Sequence, residues 1–372
     1  MRVLLVSHHA PPHIGGVENL VLAEAEAFVE AGHEVAWITS DGGGAGRVLG
    51  DRQGLRIVRV PACHWPERAT GIAYPLFSPS LLFHLWREIG RADLVHVHGL
   101  VFPGSPFGAL FARLRRVTCL CTDHGGVLRY ESRLATWSLR LLIETVGRFT
   151  ARCSHKLIAY NQDLERLLAR LSGSAAKVQF LANPVDRGMF QPPDAAARAA
   201  ARRELGWDDR PRVLCVSRLL AHKGLDILLA ARDPSFEVVF CGPGEPVVRD
   251  RLRAGGAECL EARPPAGILS LYHAADAFAL PSHNEGFPVV VQEALACGLP
   301  VVTSDLPAYA PYRGTPGLHL CEPTPAVVRQ RLLDVLQQPR RLATGQSTGD
   351  GAVERRTWLS QLCRGLPDRR KV

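Results

Sequence analysis

The chain opens with MRVLLVSHHAPPHIGGVENLVLAEAEAFVEAGHEVAWITS, residues 1–40, and the fold is decided in this stretch. Val3 to Val6 is a short, unbroken apolar run, and His8 to Gly16 is rich in His, Pro and Gly. From Val17 to Glu30 apolar residues return at helical spacing, with Leu20, Ala23, Ala27 and Phe28 on one side. Gly32 stops that helix, and Val35 to Ile38 reads as the next strand. Strand, loop, helix, strand is a βαβ unit.

Further along, the same alternation predicts strands at Leu94–Val97, Val117–Cys121, Lys156–Ala159 and Val178–Leu181. Short buried strands alternating with helices argue for a parallel sheet covered on both faces. Between Gln191 and Arg210 the composition changes. Prolines give way to an Ala/Arg stretch, Ala195 to Arg203, and then to Asp208, Asp209 and Pro211, which reads as a linker or surface helix. The alternation then restarts. Strands are expected at Val213–Val216, Val238–Cys241, Ala277–Leu280 and Val301–Thr303. Helices are expected at Leu225–Ala231, Ile268–Ala274, Val289–Cys297 and Ala326–Leu336. After a polar Gly/Ser/Thr break at 346–351, Val353 to Cys363 reads as a terminal helix with Trp358 and Leu362 inward.

The expected fold class is therefore α/β, with two Rossmann-like domains facing a cleft. The first covers residues 1–190, a linker covers 191–210, and the second covers 211–345. A tail over 346–372 is placed to pack back on the first domain. The 372 residues suit two such cores. A hydrophobic fraction of 47% and a charged fraction of 22% exclude fibrous and disordered classes.

The net charge of +8 is carried almost wholly by Arg, since Lys occurs only at 156, 177, 223 and 371. Such charge attracts phosphates, anionic membranes or nucleic acid. Nucleic acid is set aside, because aromatics are only 7% and base-stacking clusters are not evident. The ten cysteines form no Cys-x-x-Cys pair, which reads as free thiols in a reducing compartment. With the first strand starting at Arg2 and no apolar run of membrane-spanning length, the expected location is cytoplasmic.

Ligands of such sheets bind outside the carboxyl ends of the strands, so the chemistry is sought in the loops there. Gly15 and Gly16 open the first helix, where paired glycines let backbone N–H groups approach a phosphate. A plain turn and cap explains that pair equally well. Arg218 follows a strand and Lys223 starts the next helix, five residues on. A guanidinium fork and an ammonium point charge can flank a diphosphate; two solvated surface cations are the plain alternative. Gly242 and Gly244 lie in a tight turn after another strand. The richest segment is Pro281-Ser282-His283-Asn284-Glu285-Gly286-Phe287-Pro288, followed by Glu293 inside the next helix. Glu285 can reach a reacting sugar while Glu293 meets a ribose hydroxyl pair. Flanked by Val290, Val291, Ala294 and Leu295, Glu293 is costly to bury without a partner.

Taken together these motifs resemble the retaining GT-B glycosyltransferases of family 4. The matches are Gly-Gly-Val-Glu at 15–18, Gly-His-Glu-Val at 32–35, Val-His-Val-His-Gly at 95–99 and Asn-Pro-Val-Asp at 183–186. Ser-Arg…Lys-Gly-Leu-Asp at 217–226 and Glu-x7-Glu at 285–293 complete them, all in the family's order. Pro184 departs from the family's usual Gly at that position, and Leu306-Pro307-Ala308-Tyr309 lacks its Gly-rich turn. The resemblance implies that Gly16 contacts the distal phosphate of a nucleotide diphosphate-sugar and that Arg218 and Lys223 hold the diphosphate. Glu293 would bind the ribose and Glu285 the hydroxyls of the transferred sugar. Gly15, Gly242, Gly286 and Phe287 join the donor-binding set, and His124 matches the family's active-site His.

No Asp-x-Asp occurs, and no His/Cys/Asp cluster has metal spacing along the chain, so neither metal nor cofactor is expected. The leaving diphosphate is then stabilised by Arg218, Lys223 and backbone donors. The implied function is retaining hexosyl transfer to a glycan, lipid-linked or small-molecule acceptor. An epimerase of the same fold, acting on the donor alone, and a silent nucleotide-sugar-binding protein are the rivals. Leu134 to Arg152 alternates Arg with Trp137, Leu139, Leu141, Leu142 and Phe149. That pattern suits either a half-buried helix or peripheral contact with an anionic membrane.

Overall fold

The computed structural model describes residues 1–11, 13, 16–42, 54–65, 67, 74–124, 133–181, 185–186, 188–285, 288–338, 355–364 and 366. The chain divides into two compact units, Met1–Pro184 with Arg355–Val372, and Val185–Glu354.

The first unit begins β1 (Arg2–Val6), α1 (Gly16–Glu30), β2 (Glu34–Ser40), β3 (Leu55–Val60) and a small antiparallel pair, β4 (Ala62–Cys63) with β5 (Leu76–Phe77). It continues α2 (Ser80–Ile89), β6 (Leu94–His98), α3 (Gly104–Leu114), β7 (Thr118–Thr122), α4 (Arg133–Leu142) and α5 (Arg148–Cys153). β8 (Lys156–Ala159), α6 (Gln162–Ser172) and β9 (Val178–Phe180) follow. The sheet order is β3-β2-β1-β6-β7-β8-β9, with every pair parallel. Strand order reverses between β1 and β6, the point where doubly wound sheets open a crevice at their carboxyl edge. Central strands are mostly apolar because both faces are covered; Leu4, Leu5, Val95, Val97, Cys119 and Leu120 are almost wholly buried.

The predicted basic helix over 134–152 is interrupted. A π-helical turn, Ile143–Gly147, separates α4 from α5. Gly147, at the end of this turn, packs closely on Leu100, where a Cβ would come within 3.0 Å of its side chain.

The second unit contains α7 (Ala195–Leu205), β10 (Arg212–Val216), α8 (Leu225–Ala230), β11 (Glu237–Cys241), α9 (Pro246–Ala254), β12 (Glu258–Leu260) and α10 (Pro265–Ala274). Then come β13 (Ala277–Leu280), α11 (Val289–Ala296), β14 (Val301–Ser304), β15 (Leu318–Cys321) and α12 (Pro325–Leu336). Its parallel sheet runs β12-β11-β10-β13-β14-β15, again reversing at its centre, between β10 and β13.

The stretch 191–210, expected as a linker, is instead part of this second unit. Asp194 caps α7 by accepting from the Ala197 N–H at 2.7 Å. Arg198 and Arg202 then grip Asp276 at 2.6 and 3.1 Å, and Asp276 also accepts from the Arg212 backbone. An Ala/Arg-rich helix looks solvated in sequence, but here its guanidiniums bind carbonyls and a carboxylate at the foot of β13.

The terminal helix α13 (Arg355–Leu362) belongs to the first unit and packs on α1, with Trp358, Leu359 and Leu362 buried. The Gln179 amide donates to the Gln361 carbonyl at 2.9 Å, tying α13 to β9. All ten cysteines are free thiols. No described helix is long and apolar enough to cross a membrane.

Candidate active site

In the second unit the predicted donor residues gather at the carboxyl edge of β10 and β13, beside the reversal of strand order. Two glycines make this possible. Gly242, at φ 145°, lies so close to the preceding loop that a Cβ would sit 1.9 Å from the Ser217 carbonyl oxygen. Gly224, at φ 71°, would likewise place a Cβ 1.9 Å from the Pro281 carbonyl oxygen. The loops after β10, β11 and β13 therefore touch backbone to backbone. Arg249, which the sequence did not single out, is buried beneath them and donates to the carbonyls of Gly242 at 2.6 Å and Leu260 at 3.0 Å.

On this platform Lys223 Nζ pairs with Glu285 Oε1 at 2.5 Å, and Ser282 Oγ donates to the same oxygen at 2.8 Å. Both side chains are largely buried, at 16% and 8% exposure, so the pair is weakly screened. Arg218 stands exposed on the loop after β10. His222 is held below the usual range by burial first, then by the positive charges of Lys223 and Arg218. The two cations thus share one neighbourhood.

Glu293 projects from α11 into an apolar layer, where its partner is Tyr272, whose hydroxyl donates to Oε2 at 2.9 Å and also reaches the Val290 carbonyl. Burial pushes the Glu293 carboxyl up to about 7, against the opposing pull of that hydrogen bond. The partner that the sequence argument required is a phenol on α10, too far along the chain to be inferred from spacing. Gly286, Phe287 and Gly15 lie outside the described residues. Gly16 is exposed as the first residue of α1, with open space where a Cβ would sit.

In the first unit His124 follows β7, and its ring belongs to a buried chain of imidazoles. His98 Nδ1 lies 3.1 Å from His124 Nε2, and His98 Nε2 lies 3.3 Å from Glu24 Oε2. Glu24 Oε1 meets His96 Nδ1 at 2.6 Å, and His96 Nε2 meets Thr122 Oγ1 at 2.8 Å. Burial alone would raise the Glu24 carboxyl, but His96 and His98 outweigh it and hold it down at about 2. Burial lowers His98 to about 4, and burial together with His98 and His96 lowers His124 well below its usual value. His98 and His124 share one proton-bearing contact between Nδ1 and Nε2, in which one ring donates and the other accepts. Glu24, inside an otherwise apolar helical stripe, was not foreseen as part of this site.

Spacing along the chain shows no metal cluster, while folding brings sequence-distant ligand-type side chains together. Among the described residues two groups could hold an ion, His9 with His64 and Glu67, and Glu24 with His96 and His98. A hollow of about 600 Å³ lined by Arg2, Glu34, Arg56 and Glu88 lies at the opposite, amino-terminal edge of the first sheet, away from all these groups.

Two doubly wound parallel sheets with acids and bases at their carboxyl edges define a class that solved structures share. The chain superposes on sucrose-phosphate synthase from Thermosynechococcus elongatus with a TM-score of 0.71 at 19% identity, covering 97% of this chain and 94% of that one. It superposes on Anabaena HepE, solved in complex with UDP and glucose, with a TM-score of 0.70 at 18% identity, covering 96% and 94%. The fold is GT-B.

Residues 14–188 match Glycosyltransferase Family 4, and residues 197–314 match Glycosyl transferases group 1. The GDP-mannose-dependent alpha-(1-6)-phosphatidylinositol monomannoside mannosyltransferase of Mycolicibacterium smegmatis is 30% identical over 81% of this chain and 79% of its own length. The D-inositol 3-phosphate glycosyltransferase of Xylanimonas cellulosilytica is 30% identical over 82% and 80%. The chain belongs to the family 4 glycosyltransferases and is a glycosyltransferase.

Proposed function

We propose that the protein transfers a hexosyl group, with retention of anomeric configuration, from a nucleoside diphosphate-sugar to a hydroxylated acceptor. The observation that carries this reading is the Lys223–Glu285 pair, set beside exposed Arg218 at the carboxyl edge of β10 and β13. Arg218 and Lys223 meet the charge that develops on the leaving diphosphate, so the transfer step itself needs no metal. Glu285, already oriented by Lys223 and Ser282, accepts hydrogen bonds from the sugar hydroxyls. Glu293 accepts from the ribose, and the His124 imidazole meets a hydroxyl of the acceptor. A diphosphate oxygen takes the acceptor proton on the face from which the leaving group departs.

The relatives' names set the first substrates to try. Incubating the protein with GDP-mannose or UDP-glucose, and with D-inositol 3-phosphate or phosphatidylinositol monomannoside, should yield a glycosylated acceptor whose anomeric centre matches that of the donor by NMR. An inverted product would overturn retention. Conversion of the donor without any acceptor would favour an epimerase instead.

Exposed Trp137, Leu141 and Phe149 around α4 and α5, beside Arg140 and Arg148, support peripheral contact with an anionic membrane. Co-sedimentation with phosphatidylglycerol vesicles but not phosphatidylcholine vesicles is the expected result; equal recovery with both would remove that contact.

A further inference from the structure

Three imidazoles converge on one carboxylate in the first unit, apart from the His124 chain. His9 follows β1, His13 precedes α1, His64 follows β4, and Glu67 lies in the next turn. His9 Nε2 is 3.1 Å from Glu67 Oε2, His64 Nδ1 is 3.5 Å from the same oxygen, and His13 Nε2 is 3.5 Å from Oε1. The rings are stacked rather than scattered, with His9 centred 4.2 Å from His13 and 5.5 Å from His64.

The other nitrogen of each ring is also engaged. His64 Nε2 lies 3.2 Å from Asp41 Oδ1, His13 Nδ1 lies 3.1 Å from Glu18 Oε1, and His9 Nδ1 lies 2.9 Å from Ser40 Oγ. The Asp41 carboxylate only accepts, so His64 donates to it from Nε2. In a neutral imidazole that leaves the inner nitrogen with a lone pair, aimed at another group that only accepts. Lone pairs facing a carboxylate repel unless a cation lies among them. Outer groups that fix the tautomer and point the inner nitrogen inward are the second layer that metal-binding histidines use. The backbone is fixed too: Trp37 donates to Ser7 Oγ, and Ser7 Oγ donates to the His9 carbonyl.

We propose that His9, His64 and Glu67, with His13 as the fourth group, form a binding site for a divalent transition-metal ion, with zinc as the expected occupant. Bonds of about 2.0–2.2 Å to nitrogen and oxygen place tetrahedral ligand atoms roughly 3.3–3.5 Å apart; the imidazole nitrogens stand 3.1–3.5 Å from Glu67, and the His9, His64 and Glu67 ligand atoms all lie within 4.8 Å of one another. Imidazole with carboxylate selects zinc-like ions over magnesium or calcium. His9 is almost wholly buried, whereas His13 is 36% and Glu67 23% exposed on the side chain, so an ion has a way in. The second group, Glu24 with His96 and His98, is sealed, and its outward nitrogens are already committed to Thr122 and His124. A bound ion pins together the chain after β1, after β2 and after β4. No step of the proposed transfer passes through it, and the site stands independently of that reading.

The test uses the full-length chain, stripped with chelator and titrated with zinc against a chromophoric competitor. One zinc per chain is expected. Cobalt(II) in its place should give d–d bands without a thiolate charge-transfer band. Asp41→Asn, which touches only the outer layer, should weaken zinc about 10–100-fold. Glu67→Gln should weaken it more, and Cys63→Ser, at the exposed thiol next to His64, should leave affinity unchanged. No stoichiometric binding, a thiolate band, or unchanged affinity in both folded acid variants would overturn the site.

Discussion

Lys223 and Glu285 hold one another at 2.5 Å, with Ser282 on the same carboxylate oxygen. Lys223→Ala is therefore expected to cut turnover at saturating donor about 10²–10³-fold, the size of a lost preorganised donor. The unfolding midpoint should fall as well, because Glu285 is left buried with only the Ser282 hydroxyl, so turnover is read on the folded variant. Unchanged turnover would remove Lys223 from the mechanism. Glu293 behaves differently. Burial raises it from an ordinary 4.5 to about 7, so the folded state keeps a proton that the unfolded chain has lost between those values. Stability contributed at this residue is complete below 4.5, falls as pH rises, and is lost above about 7. The loss amounts to about 3 kcal/mol. Glu293→Gln should thus gain on the wild type by about that amount between acid and mildly alkaline pH, read by urea unfolding at each. It should bind donor more weakly at the same time. A pH-independent difference would sink this account of Glu293.

At the scale of the element, each half of the donor platform depends on a strand end and on a glycine that lets it approach its neighbour. Gly224→Ala places a methyl 1.9 Å from the Pro281 carbonyl oxygen at a left-handed φ. The expected cost exceeds about 2 kcal/mol, measured by thermal unfolding of the second unit, and a stable variant would show that the loops can part. The positions of these elements were legible in the sequence because β1, β6, β10 and β13 are short, mostly apolar runs. In the two main sheets the strands it left unread, β3, β12 and β15, are edge strands with half-exposed, mixed residues. Arg218, Lys223, Glu285 and Glu293 were legible because motif spacing is local. Tyr272, Arg249 and Glu24 were not, since each meets its partner across a sheet or between helices. The three histidines around Glu67 escaped for the same reason. His9 and His13 share the loop after β1 while His64 and Glu67 lie more than fifty residues on, beyond β3 and β4, and the parallel order β3-β2-β1 brings those chain segments near one another.

At the scale of the whole molecule, the two units carry separate cores, and the last helix belongs to the first one. Trp358, Leu359 and Leu362 are buried there against α1. Trp358→Ala should cost about 3–5 kcal/mol, and calorimetry should show it in the transition of the first unit alone. A shift confined to the second transition would contradict the division. The seating of that helix also has a temporal consequence. In topological terms the second unit is an insertion within the first, between residues 184 and 355. A ribosome delivers residues 1–184 before the second unit, yet the segment that closes them emerges only after it. The half made first is the half finished last. A gene cut at that boundary would express a stable carboxyl-terminal fragment beside an amino-terminal one that lacks its clasp.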